Sequence, residues 1–452
     1  LITGSFLLCT QRHGITVTHG RRIRMPTGAT KLGGWLLMAA MLGVSGCAKP
    51  PEPEKPPRPT PPITPMRGIW LATVIGLDWP PAASLKAETA QERVCQQKQG
   101  LTDALDEMVK TGINTVYFQV KPDGTALWRS NILPWSEVLT GTVGQDPGYD
   151  PLAFMLQEAH RRGIKVHAWL NPYRVSMNTR PQTIEALNHT LQSPPASVYA
   201  LHPDWIRTAN ERFVLDPGLP DVRNWITGVV AEIVKNYDVD GIQFDDYFYY
   251  ETPQSPLDDE RTYRAYGKGF ADKAAWRRDN TLQLIKQVSA AVKALKPEVA
   301  FGVSPAGVWR NKADDPDGSA TRAGAPSYDT AYADTRQWVK LGLLDYIAPQ
   351  LYWPFDREIV RYDVLANWWA EVVKGTSVRL YAGVALYKVG TPAASEPAWA
   401  VEGGVPELKR QLDLNESLPG MGGTILFRQR YLTEPQTDKA VAYLRTRWKT
   451  GQ

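Results

Sequence analysis

Cysteine is nearly absent from this chain. Cys9, Cys47 and Cys95 have neither the number nor the spacing for a zinc-ligand set or a disulfide framework. Cys95 has no histidine near it in sequence to activate it. Histidine is just as scarce. The body of the chain keeps only His160, His167, His189 and His202, with no His-x-x-x-His pair. This argues against a helical zinc hydrolase site, and His167 reads as a satisfied interior histidine. No glycine-rich loop leads into Lys-Ser or Lys-Thr, which argues against a phosphate cradle. Gly302-Val-Ser-Pro-Ala-Gly307 has the wrong spacing for a serine-hydrolase elbow, and Pro305 spoils the tight turn. No metal and no cofactor are expected.

A charge excess is also missing where it would matter. The formal net charge is +4, but residues 1–46 carry Arg12, Arg21, Arg22, Arg24 and Lys31 and no acid, leaving −1 for the rest. Nucleic-acid binding needs a basic patch or stripe, so no nucleic-acid partner is expected. Long hydrophobic runs are absent too. The apolar stretch at residues 32–44 has 13 residues, and a bilayer span needs roughly 20. Its length and basic flank suit the h-region of an export signal. Val44-Ser45-Gly46-Cys47 follows and resembles the lipobox of bacterial lipoproteins. That resemblance implies cleavage before Cys47 and a lipid such as palmitate attached there. Ala48, where an Asp would signal inner-membrane retention, implies an anchor in the outer membrane, facing the periplasm. Residues 1–24 resemble neither a signal nor a folded element, and Met25 is an alternative start. Residues 47–65 hold the cysteine and a proline-rich stretch that favours extended polyproline II. It reads as a tether.

Residues 66–452 have globular composition: the whole chain is 43% hydrophobic and 22% charged. Short apolar strands are predicted at 68–73, 114–120, 165–170, 240–245, 300–304, 346–351, 379–386 and 423–427. Helix-period segments lie near 94–110, 151–162, 221–236, 275–296, 328–340, 360–373, 405–416 and 436–448. Eight alternating units predict an α/β fold, a (β/α)8 TIM barrel. Helix-to-strand turns are short. Strand-to-helix loops are long, near 121–150, 171–220, 246–274, 305–327 and 387–404, and all fall on the C-terminal face, where such barrels carry their sites.

Strand alternation selects the residues at that mouth. In Asp240-Gly-Ile-Gln-Phe-Asp-Asp-Tyr247, Ile242 and Phe244 face the helices, and Gln243 and Asp245 face in. The same parity turns Tyr117, Gln119 and Lys121 inward, then His167, Trp169 and Asn171, Ser304, and Gln350 with Tyr352. Gln119, Asn171, Asp245, Ser304, Gln350 and Tyr352 are thus expected to ring the top, joined by Tyr387 and Arg428. A polar, aromatic ring with carboxylates suits hydroxyl-rich ligands. Glycoside cleavage needs a proton donor and a second group acting as nucleophile or base. Asp245 is the leading catalytic candidate and Asp246 the next. Asp123, Glu251 and Asp78 are alternatives for the second group.

The body resembles the glycosyl-hydrolase-like family of bacterial lipoproteins. The likeness rests on Thr115-Val-Tyr-Phe-Gln-Val120 with Pro122-Asp-Gly124, on His167-Ala-Trp-Leu-Asn-Pro-Tyr-Arg174, on residues 240–249, and on Ala348-Pro-Gln-Leu-Tyr-Trp353. It implies a barrel that cleaves glycan strands of peptidoglycan, those lacking stem peptides, in association with the division machinery. Asp123, Tyr173, Arg174, Tyr247 and Trp353 join the expected substrate contacts. Chitinase-type barrels are similar in frame but carry Asp-Gly-x-Asp-x-Asp-x-Glu. This chain has Gln243 at the first internal Asp and Tyr247 at the Glu. That departure keeps open a non-catalytic glycan-binding lipoprotein, and hydrolysis of another polysaccharide is a further alternative.

Overall fold

The computed structural model describes residues 64–449. The expected export signal, lipidated Cys47 and most of the tether therefore lie outside the described residues. Eight parallel strands close into a barrel: β1 Met66–Leu71, β2 Thr115–Lys121, β3 Lys165–Leu170, β4 Gly241–Phe244, β5 Ala300–Val303, β6 Tyr346–Ile347, β7 Arg379–Val384 and β8 Met421–Phe427. The ring is shut by β1 on β8, with Met66 opposite Gly423 and Trp70 opposite Phe427. Eight helices alternate with the strands: α1 Ala90–Thr111, α2 Pro151–Arg161, α3 Pro220–Asn236, α4 Lys273–Leu295, α5 Thr335–Lys340, α6 Tyr362–Val373, α7 Val405–Ser417 and α8 Asp438–Lys449. The predicted (β/α)8 barrel is the fold.

Local sequence sets the helix ends. Thr89 caps α1 by accepting from Glu92 N, and Gly112 closes it at φ 84°. Asp150 caps α2 through Ala153 N, with Pro151 in its first turn, and Asp272 caps α4 through Ala275 N. Cys95, on α1, is disulfide-bonded, a state the cysteine spacing did not suggest.

Three expectations are corrected. The helix expected at 328–340 is two pieces, because Tyr332 takes φ +49° and Asp334 starts a new helix by accepting from Gln337 N. The sixth strand is two residues long as a ladder. Pro349 supplies no N–H, and pairing resumes only as bridges from Gln350 to Ala306 and Gly383. The loop after β3 also holds helix Pro181–His189 and a hairpin of Ile206–Ala209 with Arg212–Leu215. Its two-residue turn, Asn210-Glu211, has both φ positive, as a type I′ turn needs.

Two cores follow from strand alternation. Outward residues such as Val116, Phe118, Val166, Ile242, Phe244, Phe301 and Ile347 pack under the helices. Inward residues Trp70, Tyr117, Trp169, Tyr346, Tyr381 and Ile425 fill the barrel. Bulky rings fit because glycines face them. A Cβ on Gly241 would lie 2.4 Å from the His167 ring, and one on Gly302 2.3 Å from Tyr346. His167 is buried, bonds Tyr346 Oη through Nδ1 at 3.0 Å, and is pushed down to about 4 by burial, so it is neutral.

The lower rim is clasped by side chains. Asn114 Oδ1, just before β2, accepts from Arg67 N of β1 at 3.1 Å. Asp240, before β4, accepts from Val166 N of β3 at 2.8 Å, and Asp345, before β6, from Phe301 N of β5 at 2.7 Å. Each takes a backbone donor that the ladder leaves over.

Gly302→Ala should lower stability by about 1–3 kcal/mol, the range for overpacking a filled core. Gly228, inside α3 with nothing within 4 Å of a built Cβ, is the control. Gly228→Ala should gain about 0.5–1 kcal/mol by helix propensity. Urea unfolding of both variants checks the pair.

Candidate functional site

The parallel ladder brings the ends of β2, β3 and β4 side by side, and Asp245 and Asp246 follow β4 directly. Asp245 is buried, 7% exposed. Three N–H groups converge on its carboxyl: Trp169 Nε1 on Oδ2 at 3.0 Å, Asn171 Nδ2 on Oδ2 at 3.0 Å, and the amide of Asp246 on Oδ1 at 2.8 Å. Asp246 is half-buried. Its pKa is pushed well above the ordinary carboxylate range. Burial is the main cause, and the adjacent Asp245 charge and a hydrogen bond with that carboxyl add to it; a hydrogen bond with Gln350 acts the other way.

Behind Asp245 stands a second layer. Asn171 Oδ1 accepts from Gln119 Nε2 at 2.7 Å, and Gln119 Oε1 accepts from Thr73 N at 2.8 Å and Val74 N at 2.9 Å. Both amides are buried, 0% and 1% exposed. Lys121 Nζ donates to the carbonyls of Asn171 and Pro172 at 2.7 and 3.3 Å, and burial pushes its pKa down to about 7.

Aromatic residues flank the acids. The Tyr247 hydroxyl is pushed up first by Asp246 and then by burial, and its ring lies 5.1 Å from the Arg174 guanidinium. Arg174 is fixed by Nε donating to Pro122 O at 2.7 Å. The Tyr352 hydroxyl is pushed up by burial, then by Asp245, Tyr387 and Asp246. Its ring stacks on Phe427 at 5.5 Å and meets Tyr387 edge-on at 5.9 Å. Burial pushes Tyr387 up to about 12. Gln350 reaches Ser304, donating from Nε2 to the Ser304 carbonyl at 3.0 Å.

The structure therefore gathers Asp245, Asp246, Gln119, Asn171, Arg174, Tyr247, Ser304, Gln350 and Tyr352. The hydrogen bonds of Asp123 go to Thr125 and not to the pair. It accepts from Thr125 N at 2.9 Å and lines a cavity of about 150 Å³ with Glu137, Ser176 and Asn178. Its charged neighbours are Arg174, Lys121 and Glu137. Tyr173 is sealed in the core under the helices, its hydroxyl bonded to no described residue. The ladder ends at Leu170 and Pro172 follows, so strand parity no longer aims Tyr173 at the mouth. Trp353 packs on Gly307, where a Cβ would lie 2.8 Å from its ring.

Two alternative acids are already engaged. Asp78 accepts from Ala72 N, from Arg430 N and from the Arg428 guanidinium, clamping β1 to the end of β8. The expected Arg428 is thus committed to that clamp. Glu251 pairs with Arg277 at 2.7 Å and accepts from Leu257 N. Sequence reading did not name Trp169 as a site residue, although its inward parity was visible.

Comparison with known proteins gives the family and the fold. The family model for glycosyl hydrolase-like 10 matches residues 65–401, and the chain belongs to that family. It is 64% identical over 384 residues to glycosyl hydrolase DigH of Escherichia coli (strain K12), covering 85% of this chain and 87% of that one. It is 43% identical over 371 residues to glycosyl hydrolase YngK of Bacillus subtilis (strain 168), covering 82% and 69%. Among solved structures, the endo-1,4-beta-mannanase of Rhizomucor miehei shares the fold at TM-score 0.50 and 9% identity, covering 85% of this chain and 95% of that one.

Asp246 makes a stability prediction. Its folded pKa is raised, so the folded state holds a proton that the unfolded chain releases, and the associated stability is lost as pH rises through the raised value. Asp246→Asn should match wild type below the unfolded carboxylate pKa of about 3.9. It should then gain on wild type by about 1.4 kcal/mol per pH unit across the window. Urea unfolding at pH 3.5 and pH 8 checks the sign.

Proposed function

We propose that this protein is a glycoside hydrolase acting on peptidoglycan glycan strands, those without stem peptides, with Asp246 as proton donor and Asp245 as the fixed carboxylate. One observation carries the assignment. Two adjacent carboxyls sit in opposite surroundings, Asp245 ringed by three N–H donors and Asp246 kept toward the neutral form. Pairs of acids with such divided environments divide acid and base roles. In the proposed cleavage the glycosidic oxygen takes the Asp246 proton as the bond to the anomeric carbon breaks. Asp245 faces the positive charge that builds on the sugar; a water oxygen then bonds to the anomeric carbon and the proton it sheds returns to Asp246. The half-buried rings of Tyr247, Tyr352 and Tyr387 offer faces for the C–H surfaces of sugars.

The front of the chain supports the choice of polymer. A leader resembling that of lipoproteins, followed by a proline-rich tether, suits an outer-membrane anchor facing the periplasm, where peptidoglycan is the neighbouring glycan. Association with the division machinery belongs to the same proposal. A binding-only reading draws on Tyr247, which stands where chitinase-type barrels carry Glu.

Residues 66–452 incubated with strands stripped of peptides should release soluble fragments, measured by mass spectrometry. Asp245→Asn and Asp246→Asn should each cut release by roughly 10²–10⁴-fold, the usual worth of acid–base groups, and should still co-sediment with the strands. The alkaline limb of kcat/KM should lie above the ordinary carboxylate range, because Asp246 must keep its proton. Wild-type binding without fragments would establish the binding-only lipoprotein, and release only from other glycans would point to another polysaccharide.

Cys47→Ser should move the exported protein from the membrane pellet to the soluble periplasm. Intact mass of the mature wild type should show lipid at Cys47.

A further inference from the structure

We propose that Gln119 is a positioning residue that decides which carboxyl of the pair carries the proton, by fixing the amide polarity of Asn171. The inference rests on the assignment of Asp245 and Asp246 as the reacting pair, and it goes beyond it. It also revises the expectation that Gln119 and Asn171 touch substrate.

The argument follows donors and acceptors outward from the backbone. Thr73 N and Val74 N, just past β1, are donors only, and both point at one terminal atom of Gln119, at 2.8 and 2.9 Å. That atom must be the oxygen. The other terminal atom of Gln119 is then the nitrogen, and it donates to Asn171 at 2.7 Å. The receiving atom of Asn171 must in turn be its oxygen. Its nitrogen is left facing Asp245 Oδ2 at 3.0 Å. The backbone thus sets the direction of every bond in the chain, and neither amide can flip without opposing like to like.

The consequence falls on the proton. Trp169 Nε1 and the amide of Asp246 are also donors that accept nothing. All three N–H groups on the Asp245 carboxyl are therefore donors that cannot receive a hydrogen from it, and the Asp246 carboxyl, hydrogen-bonded with it, is the neighbour that can. A proton on Oδ2 of Asp245 would point into the Trp169 and Asn171 N–H groups, so in the bond between the two carboxyls Asp245 is favoured as the acceptor. Asp246 is less enclosed: its carboxyl meets the Gln350 amide and its own backbone N–H. The pair's proton is directed to Asp246, the residue that must deliver it. The device is buried and contacts no solvent at Asn171, so substrate need not assemble it.

Gln119→Glu is the discriminating change. One carboxylate oxygen still accepts from Thr73 and Val74. The other replaces the nitrogen and opposes Asn171 Oδ1. Asn171 must turn its amide, presenting oxygen to Asp245. Gln119→Met removes the bond without the opposition. We expect Gln119→Glu to lower kcat by about 10–100-fold, within the range of mispositioned catalytic groups, with KM little changed and the acid limb of kcat/KM moved to higher pH. Gln119→Met should lose less and keep its acid limb in place.

Carboxyl 13C titration of aspartate-labelled protein reads the same point without turnover. In wild type the pair's first proton on acidification should appear on Asp246, and in Gln119→Glu on Asp245. Uptake by Asp245 in wild type, or an unchanged order in Gln119→Glu that melts like a folded protein, would overturn the proposal. A change confined to KM would also overturn it, by making Gln119 a substrate contact. If wild type releases no fragments, the hydrolase reading fails, and the titration still decides whether Gln119 sets the proton.

Discussion

Alternation of side chains along a closed parallel ladder is the constraint on which this molecule depends. Closure of β1 on β8 leaves no edge, so every inward residue shares one narrow interior. That interior is filled mainly by aromatic rings and sealed. Packing of this kind is possible only where strands give up side chains, as at Gly241 and Gly302. The same alternation continues past the filled layer and delivers Gln119, Asn171 and Asp245 to adjacent positions at the C-terminal ends of β2, β3 and β4. Filling and chemistry are two levels of a single arrangement.

The site is built mostly from uncharged donors. Indole, carboxamide and peptide N–H groups hold Asp245, while the cations nearby serve elsewhere. Arg174 lies over Tyr247 and bonds the Pro122 carbonyl. Arg428 is spent on Asp78 and Arg277 on Glu251. A cation paired directly with the two acids would pull both toward the ionised form. Keeping the arginines engaged leaves Asp246 free of that pull, and burial and its neighbour's charge hold its pKa above the ordinary carboxylate range.

Much of this was legible in the chain because the signals are local and periodic. Ile242 and Phe244 against Gln243 and Asp245 announce a strand and its two faces, and Thr89, Gly112 and Asp150 mark helix ends. What escaped reading depends on partners distant in sequence. Asp78 looks like a candidate acid until Arg428, 350 residues later, is seen to hold it. Glu251 looks available until Arg277 claims it. Tyr173 follows a proline that ends strand geometry, so parity could not aim it. The hairpin around Asn210-Glu211 carried a weak cue, an asparagine between two short β-prone runs, inside a stretch otherwise rich in turn formers. Gln119 and Asn171 were selected by position, but only the direction of their bonds separates a support from a contact.

The clasps at the lower rim have a consequence for how such a molecule can change. Asn114, Asp240 and Asp345 sew neighbouring strands together in pairs at the end remote from the acids. Integrity of the cylinder is thereby secured at the end away from Asp245 and Asp246. The opposite end is relieved of that duty, and segments as long as the one between β3 and α3 can be lengthened, shortened or exchanged without unpicking the seams. A chassis of this kind can be refitted for a different ligand by altering the crown alone.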